Sequence, residues 1–197
     1  MDRAIFFAEI RKAPFGGRMS KGQVAGVEAM LDGWKAFGPH DQRWAAYALA
    51  TAFHETATTM QPIREIGRGK GKPYGAPAGR HKQSYYGRGL VQLTWERNYR
   101  DATERLRARG VIGSADDLTR TPDLAMRPDI AVAILVHGMV EGWFTGRKLG
   151  DYFRGSRSDW VDARTIINGH DRDRLVASYG MLFYHALGAA HAAEAVA

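Results

Sequence analysis

Trp44-Ala45-Ala46-Tyr47-Ala48-Leu49-Ala50-Thr51-Ala52-Phe53 is a run without a single charge, and its reading decides the fold. Placed on a helix, its apolar residues fall on every side instead of along one stripe, and such a helix is buried all round. Asp41 is a good N-cap ahead of the run, so the pattern predicts a helix from there to about Thr56, with His54 and Glu55 at its end. Upstream, Ser20-Lys21-Gly22-Gln23 reads as a capping box opening a helix to about Ala36, which Gly38-Pro39 breaks. A shorter helix, Asp2 to Lys12, is ended by Pro14, Gly16 and Gly17.

Downstream the texture changes. Residues 64–89 hold seven glycines, Pro73, Pro77 and many basic residues, which predicts a long irregular segment with a small hairpin near Ser84 to Leu93. Long loops in compact domains tend to be functional. Helical patterning resumes from Thr94 to about Ala108. Pro128 suits the first position of a buried helix to about Trp143. Two more helices are expected, from Ser158 as N-cap to Ile167, and from Asp171 to the C-terminus. The expected architecture is mainly α: one domain over residues 1–197, with a Gly-rich loop or β-hairpin lobe at residues 64–93.

Composition narrows the partners. Of 197 residues 45% are apolar and 25% charged, the usual mix of a folded globular chain. The absence of Cys excludes a disulfide scaffold, a thiol nucleophile and Cys-ligated zinc. Lys and Arg number 28 against 21 Asp and Glu, a net charge of +7 that favours anionic partners such as nucleic acid, an anionic membrane surface or an acidic wall polymer. Residues 1–15 hold only Ala4 to Ala8 as an apolar run, too short for a secretory signal. The expectation is synthesis in a cytoplasm, with another route out.

His54-Glu55-Thr56-Ala57-Thr58 begins like a zinc-protease motif, but Thr58 stands where a second His is needed. The Gly-rich segment lacks phosphate-loop spacing, and the histidines show no ligand cluster; His137, on a buried helix, reads as a satisfied core residue. Glu55 is the informative carboxylate. Burial at a helix end disfavours its charged form, as a general acid near neutral pH requires, although a nearby arginine such as Arg64 or Arg88 could equally neutralise it. Glu65 lies ten positions on, and two carboxylates flanking a cleft are the usual glycosidase pair.

Tyr85-Tyr86-Gly87-Arg88-Gly89-Leu90-Val91-Gln92-Leu93-Thr94-Trp95, followed by Asn98-Tyr99, resembles the central signature of glycoside hydrolase family 19 chitinases and related phage endolysins. His54-Glu55-Thr56 resembles the family's catalytic element, Ile166-Ile167-Asn168-Gly169 its Ile-Asn-Gly element, and Arg174 through Tyr184 the helix that follows. The resemblance implies a lysozyme-like, two-lobed α fold around a cleft. It implies Glu55 as general acid, Thr94 as a holder of the attacking water, and Gln92, Asn98, Asn168 and Tyr86 as cleft-lining residues, with Arg174 supporting the cleft. Plant-type members carry their second Glu farther on, in a Cys-containing segment missing here. The shorter endolysin-like branch has it about where Glu65 stands, which makes Glu65 the candidate base, kept ionised by Arg64 and Arg68.

Other readings of these residues stay open. Thr94 could serve as the N-cap of the following helix, Gln92 and Asn168 could satisfy loop backbone, and Tyr85 and Tyr86 could pack. The expected function is an endolysin-type hydrolase cutting β-1,4 bonds of peptidoglycan with inversion and with no metal or organic cofactor. The alternatives are a chitinase, or a non-catalytic glycan-binding protein on the same fold. The expected partners are glycan strands and an anionic wall or outer-membrane surface, with no specific nucleic acid; the chain is expected to be a monomer. The basic loop from Arg64 to Arg88 is expected to bring the chain to its anionic substrate.

Overall fold

The first three helices start behind their capping residues. In the computed structural model, which describes residues 1–194, α1 (Arg3–Lys12) begins at Asp2, whose carboxylate accepts the Ile5 amide at 3.1 Å. Helix α2 (Lys21–Phe37) opens on the predicted box: the Gln23 amide donates to Ser20 Oγ at 3.1 Å, and the Ser20 amide to Gln23 Oε1 at 2.8 Å. Helix α3 (Gln42–Glu55) starts where Asp41 accepts the Arg43 amide at 2.9 Å. Each cap satisfies a donor the helix leaves orphaned and stabilises by about 1 kcal/mol.

The chain continues through β1 (Ile63–Arg64), β2 (Arg88–Gly89), α4 (Glu96–Ala108), α5 (Pro128–Glu141), α6 (Leu149–Tyr152), the hairpin strands β3 (Phe153–Arg154) and β4 (Arg157–Ser158), and α7 (Asp173–Glu194). The architecture is the mainly α one expected, with two small antiparallel ladders. Helix α3 is its axis: residues 45 to 53 are all buried, against α7 and the aromatic rings of Phe153 and Phe183. Helix α1 packs on α7, and α2 on α5. Two glycines make the α2 contacts possible. A Cβ on Gly26 would overlap the Met60 carbonyl oxygen, and one on Gly33 would overlap Val132 Cγ1. One hydrophobic core runs from Phe6 to Ala190. Among the described residues no helix is long and apolar enough to cross a membrane.

Residues 65–87 form the irregular lobe, broken by a short turn of helix at Pro73–Gly75 and a single antiparallel bridge between Ala78 and Gln83. Its neck is β1 paired antiparallel with β2, Ile63 opposite Gly89 and Arg64 opposite Arg88. The hairpin expected within 84–93 is instead a tight turn that bridges Arg88 to Leu93. Arg88 is buried and ties the lobe down. Its guanidinium donates to the Ser84 and Tyr86 carbonyls and to Asp123 Oδ1, the last at 2.7 Å, and stacks 3.6 Å over the Tyr86 ring.

Several boundaries differ from expectation. Helix α4 starts at Glu96 behind Trp95, which has φ +68° and provides no side-chain cap. The Trp95 amide is held by the Tyr85 carbonyl at 2.9 Å, so the lobe, not a cap, sets the start. Helix α5 ends two residues early because Gly142 adopts a left-handed φ of +80°. Ser158 is no N-cap; it lies in β4, and the helix expected there shrinks to a 3₁₀ turn, Asp162–Ile166, whose first amide Asp159 accepts at 3.1 Å. The last helix starts at Asp173, two residues after the expected Asp171, and its expected reach to residue 197 extends outside the described residues.

Candidate active site

Glu55 is the last residue of α3, where the helix dipole is negative and a carboxylate is disfavoured. Arg164 offsets this. Its Nη1 donates to Glu55 Oε1 at 2.6 Å, with the arginine side chain 2% exposed and the glutamate 15%. A second bond, Arg164 Nε to the Asp171 carbonyl at 2.9 Å, fixes the guanidinium from the segment that follows the 3₁₀ turn. The neutralising arginine is therefore neither Arg64 nor Arg88; both of those bond Asp123. Glu55 Oε2 has no protein partner among the described residues.

The neighbours of Glu55 in its motif act differently. Thr56 locks the helix end: its hydroxyl donates to the Ala52 carbonyl at 2.7 Å and accepts the Met60 amide at 3.0 Å. His54 is half-buried, and burial pushes its imidazole below the usual histidine range.

Glu65 directly follows β1. Its amide donates to the Gly87 carbonyl at 2.7 Å, the Gly87 amide donates to its Oε2 at 3.0 Å, and the Tyr74 hydroxyl donates to its Oε1 at 2.9 Å. The expected support from Arg64 and Arg68 is absent. Arg64 is taken by Asp123, and Arg68 makes no ion pair among the described residues, so the donors on Glu65 are neutral. The bond to Glu65 raises the pKa of Tyr74 above the usual phenol range, which keeps it a donor. Gln92, at φ +53°, lies over Gly87: a Cβ there would come within 2.7 Å of Gln92 Oε1. Its Nε2 donates to the Ile63 carbonyl at 3.3 Å, so Gln92 does satisfy loop backbone while lying beside the Glu65 cradle.

Thr94 is half-buried, and its hydroxyl has no protein partner among the described residues; its carbonyl accepts Asn98 Nδ2 at 2.8 Å. The N-cap position belongs to Trp95, which removes capping as the reason for a hydroxyl at 94. Trp95 is about half exposed and meets the Tyr74 ring edge-on, with centroids 5.3 Å apart. Tyr86 is buried beneath Arg88, and its carbonyl accepts the Tyr99 hydroxyl at 2.7 Å, so its ring packs. Asn168 is exposed and tied to the Glu55 side through its amide, which donates to the Arg164 carbonyl at 3.1 Å. Arg174 is exposed near the start of α7 with no side-chain bond among the described residues; the arginine that supports a carboxylate is Arg164.

The predicted residues thus form two sets: Glu55 with Asn168 around Arg164, and Glu65 with Gln92, Thr94 and Asn98 around the neck of the lobe. Sequence reading missed Arg164, Tyr74 and Trp95. Arg164 left a trace, as a lone cation in the otherwise uncharged run Ala163-Arg164-Thr165-Ile166-Ile167. His137 differs from expectation too: its Nε2 is buried without a hydrogen-bond partner, and its ring stacks on Trp143 at 5.9 Å. Among the described residues no group of three or more His, Cys, Asp or Glu side chains is placed to hold a metal ion. The groove lined by Trp34, His40, Asp41 and His191, about 420 Å³, includes neither Glu55 nor Glu65.

Solved structures share this architecture. The chain is similar to a mutant of chitinase C (TM-score 0.57, 21% identity, over 95% of this chain and 92% of that one). It is also similar to a bacterial family 19 chitinase (TM-score 0.55, 22% identity, over 94% and 93%). A third similar structure is chitinase C from Streptomyces griseus HUT6037 (TM-score 0.57, 22% identity, over 94% and 75%). The fold is therefore that of the family 19 chitinases. No family model and no curated protein matches the sequence.

Proposed function

We propose that this chain is a glycoside hydrolase that cleaves β-1,4 bonds in a polymer containing N-acetylglucosamine. The observation that carries the reading is Glu55, a carboxyl at the end of a helix buried on all sides, gripped through Oε1 by a buried arginine while Oε2 is free of protein partners. In this reading the free protein holds the Glu55–Arg164 ion pair, and Oε2 takes up the proton it gives to the leaving glycosidic oxygen once substrate covers the pair. Glu65 takes a proton from water on the opposite face of the sugar, and the unpartnered Thr94 hydroxyl helps hold that water. Inversion needs the two carboxyl groups about 6.5–9.5 Å apart in the working complex.

Peptidoglycan is the substrate we favour, because a chain of net charge +7 gains from an anionic polymer and chitin is neutral. An endolysin made in a bacterial cytoplasm and acting as a monomer on the wall fits that chemistry. Chitin is the second reading, supported by the names of the structurally similar proteins. Mass spectrometry of the products decides. Muropeptides with new reducing ends from purified peptidoglycan, lost in Glu55→Gln, support the first reading. Products from chitin hexasaccharide alone support the second, and none from either removes the hydrolase reading.

A further inference from the structure

The charge on the lobe is not spread as its sequence suggests. Two of its arginines, Arg64 and Arg88, are bound by Asp123 at the neck. The rest of the lobe carries Arg68, Lys70, Lys72, Arg80 and Lys82, all exposed and none in an ion pair among the described residues. No acid occurs between Glu65 and Glu96. The Glu96 carboxylate packs against Gly79 at the base of the lobe, within 4 Å of no basic group among the described residues, and leaves the lobe with an excess of positive charge.

These cations stand on a fixed frame. Backbone bonds join Arg68 to Glu65, Lys70 to Gly67, Lys72 to Gly69 and Ala78 to Gln83. Gly69 and Gly75 touch so closely that a Cβ on Gly75 would overlap the Gly69 carbonyl. The lobe takes left-handed backbone at Gly67, Gly69, Gly71 and Gly79, where glycine adopts it freely, and also at Arg68 (φ +49°) and Lys82 (φ +51°), where a side chain is strained. Cations thus stand at two positions where glycine would be easier. The frame is continuous with a candidate catalytic group, since Tyr74 of the lobe bonds Glu65 and the Arg68 amide bonds the Glu65 carbonyl at 2.9 Å. Beside Glu65, Ile66 is 98% exposed, an apolar tip among the cations.

We infer that the lobe reads the acidic peptides carried on the glycan: Arg68, Lys70, Lys72, Arg80 and Lys82 bind peptide carboxylates next to the scissile bond and set a preference for acid-substituted over neutral glycan. This rests on the peptidoglycan reading above and names the residues that enforce it. Exposed charges act over about 8 Å at physiological salt, so the preference is salt-sensitive.

The test is co-sedimentation with insoluble peptidoglycan freed of other wall polymers, either native or with its carboxylates amidated by ammonia and carbodiimide. Wild type should bind the native form about tenfold more tightly than the amidated form at low ionic strength, and about equally at 0.5 M salt. The five-fold variant R68Q/K70Q/K72Q/R80Q/K82Q, and independently K70E/K72E, should bind both forms equally, with an unchanged far-ultraviolet spectrum. Equal binding of both forms by wild type overturns the inference, as does an equal loss on both forms in the variants. So does a requirement for phospholipid vesicles, which would make a lipid surface the partner. Binding is read apart from turnover. Selective binding without released muropeptides sinks the peptidoglycan-hydrolase reading and leaves the lobe assignment standing; released muropeptides with unselective binding do the reverse.

Discussion

Glu55→Gln is the natural test of the proposed general acid, and the structure says it also loads the fold. Removing a general acid lowers turnover by about 10²–10⁴-fold. The same change leaves Arg164, 2% exposed, without a counter-charge. The glutamine carbonyl can still accept from Nη1, so the charge is lost while the hydrogen bond stays, a destabilisation of about 1.5–3 kcal/mol. Glu55→Ala loses both and costs about 3–5 kcal/mol. Arg164→Met in the Glu55→Gln background removes the stranded cation. That lifts the burden of about 1.5–3 kcal/mol, and the lost bond to the Asp171 carbonyl takes back about 1. The double variant should therefore recover about 0.5–2 kcal/mol over Glu55→Gln while remaining inactive. Urea unfolding reads this as a midpoint shift of up to about 1 M with an unchanged slope. A double variant less stable than Glu55→Gln would refute the argument that the unpaired arginine is the burden, and recovered turnover would refute the acid assignment.

Tyr74→Phe removes one of two side-chain-directed donors on Glu65 and should lower turnover about tenfold with stability within about 1 kcal/mol, read by product release and urea titration. Thr94→Val should lower turnover by a similar factor and leave stability within about 0.5 kcal/mol, because the cap position is Trp95; a loss of about 1 kcal/mol or more would restore a capping role. Gly26→Ala, whose Cβ would overlap the Met60 carbonyl, should destabilise by about 1–3 kcal/mol in thermal unfolding. Burial pushes both His54 and His137 below the usual imidazole range, and Arg109 adds to the effect at His137 while Glu141 opposes it. The unfolded chain then protonates first, so this stability is full above about pH 6.5 and is lost as pH falls through the lowered folded values. The urea midpoint should drop from about pH 7.5 to about pH 5.5, and less so in His137→Leu.

The helices were legible where one residue carries a local signal. Asp41 and Ser20 announce starts, Pro128 opens α5, and the uncharged run 44–53 announces an axis. Boundaries failed where a distant bond decides: the Trp95 amide held by the Tyr85 carbonyl delays α4, and nothing near Ser158 shows that it pairs opposite Phe153. The same division holds at the site. Glu55 and Glu65 stand out as carboxylates in odd places. Their partners come from 109 positions away for Arg164 and from inside an irregular loop for Tyr74, and no periodicity links such pairs.

Asp123 holds Arg64 at 2.8 Å and Arg88 at 2.7 Å, and so closes the lobe at its neck from outside the lobe. Whatever length of chain lies between those two arginines starts and ends at the same points. Lengthening a clamped loop adds closure entropy only slowly, about 0.6 kcal/mol per doubling. The lobe is thereby an exchangeable cassette. Insertions at its exposed turn around Gly71, where a Cβ would meet nothing within 4 Å, can alter what it touches while the backbone that sets Glu65, Gly87 and Gln92 stays in register, so one scaffold can carry different loop surfaces without disturbing that backbone.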